Sequence, residues 1–427
     1  LFILDEVHTG EARRNRINRI RGTLSHGEAM LITEKSINGW CFGMRLRKPT
    51  HDKCVLPNCI AYISDSAKPI VFCDLELEVP LDKDAGFDVV RLDQFEEVMH
   101  SSRKTVVNCN FPTVPLYFPL ILQKHGFSVQ QSKGNISLFE SIKNDVEISN
   151  MSAAAELTSV AFIKALSYAE TCDSTTEIGV IDILERELRR NETFIDLSFN
   201  AISAFGRDTT VVHFNPKALH NTDINSDGLF LLDAGAHFVN ATTDMTRVVY
   251  RGSSPDQELI NIYTTVLRSV ITFSMAKFQD GTKASLLDTI ARFVIWSRGS
   301  DYAFGTGHGI GSFGNVHERP SISQNSNDRI TSNMIVTIEP GIYMSDFGVR
   351  LENMLATTES PEHPGYVEFR TLNLIPFCRK LIDKEMLSRQ ELEWLNLYHK
   401  HTYEKLSDSF KDDSVALAWL TENTMEI

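Results

Sequence analysis

Two acidic hairpins in the second half of the chain set the tightest limit on what it can fold into. The run LFLLDAGAHFVNATTDMTRVV puts Asp233 and Asp244 on successive apolar strand patterns, and IVTIEPGIYMSDFGVRLENML does the same with Glu339 and Glu352. In each run the turn centre lies midway between the acids, a register that sets the two carboxylates directly opposite on one face. Like charges repel there. The apolar residues leading into each acid (Leu229 to Leu232, Ile335 to Ile338, Val349 and Leu351) carry it toward a core rather than to solvent. One such hairpin is ordinarily a solvated face. Two of them, with His308 and His317 between them in GTGHGIGSFGNVHE, call for bound divalent cations as the neutralising partner. Carboxylates with one imidazole suit manganese, zinc, cobalt or iron.

A chain of 427 residues holds two or three domains, and 42% hydrophobic content provides ample core. The formal charge of −14 argues against nucleic acid and against anionic membrane surfaces, which favour basic patches. The opening LFILDEVHTGEARRNR has too short an apolar run for a signal peptide, and no stretch reaches bilayer length. Seven cysteines at irregular spacing fit a reducing cytoplasm, with most of them buried.

Residues 1–144 alternate strand and helix patterns and read as an α/β domain without a phosphate loop or paired acids. Strands are expected at Ala29 to Ile32, Cys59 to Ile63, Ile70 to Cys73, Val89 to Leu92, Thr105 to Val107 and Phe127 to Val129. Helices are expected at Gly10 to Leu24, Leu92 to His100 and Val114 to His125. Residues 145–377 change pattern, with long amphipathic helices at Asp145 to Thr171, Ile178 to Arg190, Pro255 to Phe278 and Lys283 to Arg298. Acid-bearing strands fall between and after them, an α+β layout. Residues 378–427 are helical and polar, with apolar stripes through Trp394, Leu395, Leu397 and Tyr398, then Leu417, Trp419 and Leu420.

From about Asp145 onward the chain resembles the pita-bread metallopeptidases, and among them the Xaa-Pro aminopeptidases. The segments that carry the likeness are DLSFNAIS, VVHFNP, LLDAGAHFVNATTDMTR, GTGHGIGSFGNVHE, TIEPGIY and FGVRLEN. The GTGHGIGS and NVHE forms look like the cytosolic-type enzymes, as does the tail from LSRQELEWLNLYHKH. Larger members carry a further N-terminal domain, and GWCFGMR at Gly39 to Arg45 resembles a segment of their second one. With Leu1 in place of an initiator Met, the chain reads as a piece of a longer protein.

The resemblance implies a pita-bread catalytic domain preceded by a smaller α/β domain. It implies two divalent ions, manganese first with zinc or cobalt as alternatives. Asp233, Asp244, His308, Glu339 and Glu352 would be their ligands, with Asp244 and Glu352 bridging and Glu339 also the general base. His213 and His317 match histidines that contact substrate, Arg350 matches an arginine that orients a ligating carboxylate, and Phe304 and Tyr343 fall at the substrate pocket. The implied substrate is a peptide with proline in second position, and the implied assembly is a homodimer through the C-terminal helices. Three residues depart from the family pattern: Phe304 stands where a histidine is usual, Arg319 where a glycine is, and Gly314 where a larger apolar residue is. Two other functions share these features. One is a dipeptidase for Xaa-Pro dipeptides; the other is a silent binding module whose pocket Phe304 and Arg319 have closed.

Overall fold

A computed structural model of the chain describes residues 1–50, 52–75, 86–103, 105–133 and 136–427. It divides into two units, Leu1–Glu147 with Phe313–Asn315, and Ile148–Ser312 with Val316–Ile427.

The first unit is built on a six-stranded sheet in the order Asp88–Val90, Ile70–Cys73, Cys59–Ser64, Glu28–Ile32, Val106–Cys109, Ser128–Gln131. Glu28–Ile32 runs antiparallel to Cys59–Ser64 and parallel to Val106–Cys109. Its side chains alternate between two apolar clusters: Met30 and Ile32 pack with Trp40 and Phe42, while Ala29 and Leu31 pack with Phe72 and Phe95. Both faces are covered, which is why these strands read as continuous apolar runs. The helix Lys35–Phe42 has no counterpart among the expected elements. From Ile37 to Phe42 every residue of it is buried, so it carries no amphipathic period to detect. In the basic helix Arg13–Arg21, Arg16 turns inward and donates to the carbonyls of Trp40 at 2.7 Å and Thr9 at 2.8 Å.

The second unit is α+β. A three-stranded ribbon of Ile202–Phe205, Gly228–Ala234 and Met245–Arg251 carries Asp233. A six-stranded antiparallel sheet runs in the order Lys277–Gln279, Tyr366–Thr371, Asn353–Glu359, Ile335–Ile338, Gly307–Gly309, Glu318–Ile322. Helices Asp145–Thr171, Glu177–Leu188, Gln257–Ser274 and Ala284–Trp296 match the long patterns expected, with one correction. The third of them stops at Ser274 rather than Phe278. Phe278 instead enters an edge strand opposite Val367 and packs on Phe369, 5.2 Å between ring centroids.

The C-terminal helices Arg389–Leu406 and Ser414–Asn423 belong to the second unit. Ser388 and Glu391 form a capping box that starts the first of them. Only part of its apolar stripe faces outward: Leu397 is exposed, whereas Leu395 is buried. Tyr398 is buried, its hydroxyl donating to Ile375 O at 2.8 Å, and Trp394 stacks on its ring. Arg247, buried in the ribbon, donates to that hydroxyl, to Ile375 O, to Asn353 Oδ1 and to the carbonyl of Glu352 at 2.7 Å. One guanidinium thus ties the C-terminal helix to the strands that bear the acids. Among the described residues no helix is long and apolar enough to cross a membrane.

Beside Tyr398, His399 is fully buried and its Nε2 accepts the Phe377 N–H at 3.2 Å. Burial, helped by the charges of Arg247 and Arg379, pushes its pKa down to about 3. An unfolded histidine titrates near 6.5. The unfolded chain therefore takes up this proton first as pH falls. Stability from the neutral ring is fully present above about pH 6.5 and is lost as the pH drops toward the folded value. The expected loss from this one group is about 2 kcal/mol by pH 5. Urea unfolding at pH 7 and pH 5 checks it: His399→Gln should show a smaller acid loss than the parent, and equal losses would contradict the assignment.

Candidate metal centre

The two acid hairpins have different registers. Asp233 lies opposite Thr246, so Asp244 is its diagonal neighbour on the same face rather than its direct partner. The turn responsible is a small hairpin of its own, Ala236–Phe238 against Ala241–Thr242, whose centre is shifted toward the second acid. In the other hairpin Ile338 pairs with Asn353 and Gly341 with Arg350, which leaves Glu339 and Glu352 level with each other. Their backbone N–H groups do not join that ladder. Glu339 N–H goes to Thr306 O at 2.8 Å and Glu352 N–H to Thr246 O at 3.1 Å, so the second hairpin is stitched to both neighbouring segments at the acids.

His308 is on a strand, Gly307–Gly309, and not in the loop its glycines suggest. Those glycines are required by close packing. A Cβ on Gly307 would come within 2.0 Å of Thr337 O, and one on Gly309 within 2.1 Å of Arg319 O. The His308 Nδ1–H donates to Gly309 O at 3.0 Å, which turns Nε2 toward the acids, 3.5 Å from Asp244 and 3.7 Å from Glu339.

Three groups of donor atoms, each within 4.8 Å of one another, result: Asp233 with Asp244 and Glu352; His308 with Glu339 and Glu352; and Asp244 with His308 and His317. The first two share Glu352. Asp233, Asp244 and Glu352 are buried, and Asp233 Oδ1 meets no hydrogen-bond donor. An unsatisfied, buried carboxylate oxygen facing other carboxylates fits a cation better than any protein partner.

The electrostatics agree. Burial, with Asp244 and Glu339 nearby, pushes Glu352 well above the ordinary carboxylate range, and burial raises Glu339 to about 7. For His308 burial works downward, but the Asp244 hydrogen bond and the charges of Glu339 and Asp244 outweigh it and raise the ring to about 9. Arg350 is buried beside Asp233, donating Nη2–H to Asp233 Oδ2 and Nη1–H to the Tyr343 hydroxyl. Arg350 and His308 are thus the cationic groups set against the four crowded acids.

A cavity of about 560 Å3 opens over this cluster, lined by His213, His317 and Phe304 as well as by the acids. The His317 ring lies 4.4 Å from that of His308; although the residue is exposed on the cavity side, the surrounding protein and the charges of His308 and His213 hold its pKa down at about 4. Tyr343 stands one layer back from the wall: its hydroxyl serves Arg350 and its ring meets the edge of Phe304. Arg319 does not reach the cavity. Its side chain is exposed and pairs with Asp328, so it cannot close the pocket. Thr246 is a site residue absent from the sequence reading, donating to Glu352 Oε2 at 2.9 Å. Its signal was its place two residues after Asp244, on the same strand face. Asn200, Phe214 and Asn215 also line the cavity; they lie in DLSFNAIS and VVHFNP, segments that carry the family likeness but in which only His213 was singled out.

The sequence model for metallopeptidase family M24 matches residues 149–359, and that for the C-terminal region of the same peptidase family matches residues 365–427. A probable Xaa-Pro aminopeptidase P of Tuber melanosporum is 36% identical over 302 residues, 67% of this chain and 49% of the relative. One of Verticillium alfalfae is 34% identical over 316 residues, 70% of this chain and 51% of the relative. The chain thus spans about half the length of these relatives. The X-prolyl aminopeptidase of Caenorhabditis elegans, described as a cytosolic enzyme with a di-nuclear active site, superposes with a TM-score of 0.88 at 26% identity. That match covers 100% of this chain and 72% of the other. The prolidase of Pyrococcus horikoshii, at TM-score 0.68 and 22% identity over 86% of this chain and 99% of the other, shares the fold.

The shared Glu352 generates a prediction about stoichiometry. Protein loaded with manganese should hold about two ions per chain, and Glu352→Ala should drop that to well below one, because both donor sets lose a member. Elemental analysis after desalting, with circular dichroism to confirm folding, reads the result. Two ions retained by a folded Glu352→Ala protein would rule out a shared ligand.

Proposed function

The chain belongs to metallopeptidase family M24, and from that premise we propose that it is a two-metal aminopeptidase that releases an N-terminal residue from in front of proline. The observation that carries this reading is the pair of donor sets sharing Glu352 on the floor of a cavity. Asp233 would hold one ion and His308 with Glu339 the other, with Asp244 and Glu352 common to both. Manganese is the first candidate. Bound divalent ions supply Lewis acidity, lowering the pKa of water and polarising a peptide carbonyl.

The protein's own groups do the rest. Glu339, ligating through one carboxylate oxygen, would take the proton of the attacking water through the other. His317 is kept neutral, and it and His213 offer ring N–H groups to the scissile carbonyl oxygen as charge develops on it. Arg350 fixes Asp233 and offsets the negative charge around it. Phe304 presents an apolar face to the proline ring. Proline lacks an N–H and has a fixed φ, so a wall shaped to its ring discriminates it from other residues.

The assembly proposed is a homodimer, and the surface that supports it is the outer face of helix Ala284–Trp296. Leu286 and Phe293, 61% and 70% exposed and seven residues apart, stand there with Trp296. A cytoplasmic setting is also proposed, supported by seven free thiols.

Two experiments test this. Metal-loaded protein should cleave an Xaa-Pro-Xaa tripeptide faster than the Xaa-Pro dipeptide, and Glu339→Gln should lower kcat by about 10²-fold or more while retaining most of the metal. Tripeptide turnover near the parent rate in Glu339→Gln would remove Glu339 as the base, and a preference for the dipeptide would make the protein a dipeptidase. Light scattering should show that Phe293→Asp converts the dimer to monomer with little change in Tm; a persistent dimer would place the interface elsewhere.

A further inference from the structure

We propose that Asp288 and Arg292, on the buried face of helix Ala284–Trp296, are positioning residues that set the Phe304 wall of the cavity and the level of Glu339. The inference rests on the function proposed above and extends it to two residues that line neither the cavity nor the acid cluster.

The pair is spaced i, i+4 and is almost completely buried. Arg292 Nε–H is shared between the two Asp288 oxygens, at 3.1 and 2.9 Å. The rest of the guanidinium leaves the helix. Nη1 donates to Asp301 Oδ1 at 2.6 Å and to Tyr302 O at 2.7 Å, and Nη2 donates to Phe304 O at 2.7 Å. Its plane also covers the Tyr302 ring, 3.9 Å from the centroid. Asp288 Oδ1 in turn accepts from Thr306 Oγ1 at 2.6 Å, and the Tyr302 hydroxyl lies 2.6 Å from that same Thr306 oxygen. Residues 301–306 have no helix or strand of their own, so these bonds fix their path.

The two ends of this chain of bonds reach the site. Phe304, held by its carbonyl, lines the cavity with its ring between Tyr302 and Tyr343, 5.0 and 5.9 Å between centroids. Thr306, held by its hydroxyl, accepts the Glu339 N–H on its carbonyl. A buried ion pair brings little net stability, because desolvation consumes most of the attraction. Four acceptor groups, the carboxylates of Asp288 and Asp301 and the carbonyls of Tyr302 and Phe304, gathered by one planar fork are instead a device for geometry. Lysine keeps the charge opposite Asp288 but cannot span the acceptors.

The test is Arg292→Lys, alone and combined with Phe304→Ala. Expected for Arg292→Lys are unchanged metal content, a rise in KM of about tenfold on an Xaa-Pro-Xaa tripeptide and a smaller change in kcat. In the Phe304→Ala background the same change should leave KM unaltered, since the wall it positions is gone. A KM rise of equal size in both backgrounds, or none in either, overturns the proposal and leaves the pair as core structure. Hydrogen exchange is read on the same proteins: residues 301–306 should exchange at least about tenfold faster in Arg292→Lys while the strand Ile335–Ile338 is unchanged. If Arg292→Lys does not fold, Thr306→Val interrupts the same chain at its other end; protection unchanged at residues 301–306 and at Glu339 would then overturn the proposal. Failure of the parent protein to cleave any Xaa-Pro peptide sinks the proposed function instead, and exchange alone then decides whether Arg292 positions the wall.

Discussion

Four carboxylates share one small buried space, and most of the second unit is arranged around holding them there. Two like charges about 4 Å apart repel by about 4 kcal/mol at an effective dielectric near 20, and burial adds a desolvation cost to each. Glu352, Glu339 and Asp244 are all raised for this reason. Arg350 and a protonated His308 relieve part of it, and Asp233 Oδ1 still has no partner. A chain that pays this cost needs cations, and the donor sets that share Glu352 are where they fit.

Such a cluster would relax apart on a soft scaffold. It is held by backbone bonds that leave the hairpins at the acids themselves, toward Thr246 and Thr306, and by side chains one layer out. Arg247 grips the carbonyl of Glu352 and reaches Tyr398 on the C-terminal helix. Arg292 does the corresponding work on the cavity side, through Phe304 and Thr306. Two buried guanidiniums, neither lining the cavity, thus tie helices to the acid cluster and to the Phe304 segment. Arginine suits this because its fork satisfies several carbonyls at fixed angles.

The departure at Phe304 is local. The ring lies in the cavity wall, edge-on to Tyr343, and none of the three donor groups includes it. The aromatic ring shapes the cavity wall and leaves the acids below it untouched. Arg319, the other departure near the histidines, is turned outward to Asp328 and has no bearing on the pocket.

The acids, His308 and the helix Asp145–Thr171 were legible in the sequence because their signals are local: a charge interrupting an apolar strand, a glycine on each side of a histidine, a run of 27 residues without proline or glycine. Elements without such contrast were not. Helix Lys35–Phe42 is buried nearly all round, and Lys277–Gln279 becomes strand because Phe278 finds Phe369 on a partner distant in sequence. The diagonal placement of Asp233 and Asp244 turned on where one small hairpin closes, a matter of one residue that pattern alone does not decide. Tyr398 looked like an exposed stripe until Arg247 claimed its hydroxyl. Composition and period determined which residues must leave water and which acids would resent it. Only the tertiary structure decided how they meet, because a hydrogen bond or an ion pair between residues about a hundred positions apart, such as Arg247 with Glu352 or Arg350 with Asp233, leaves no trace in local spacing.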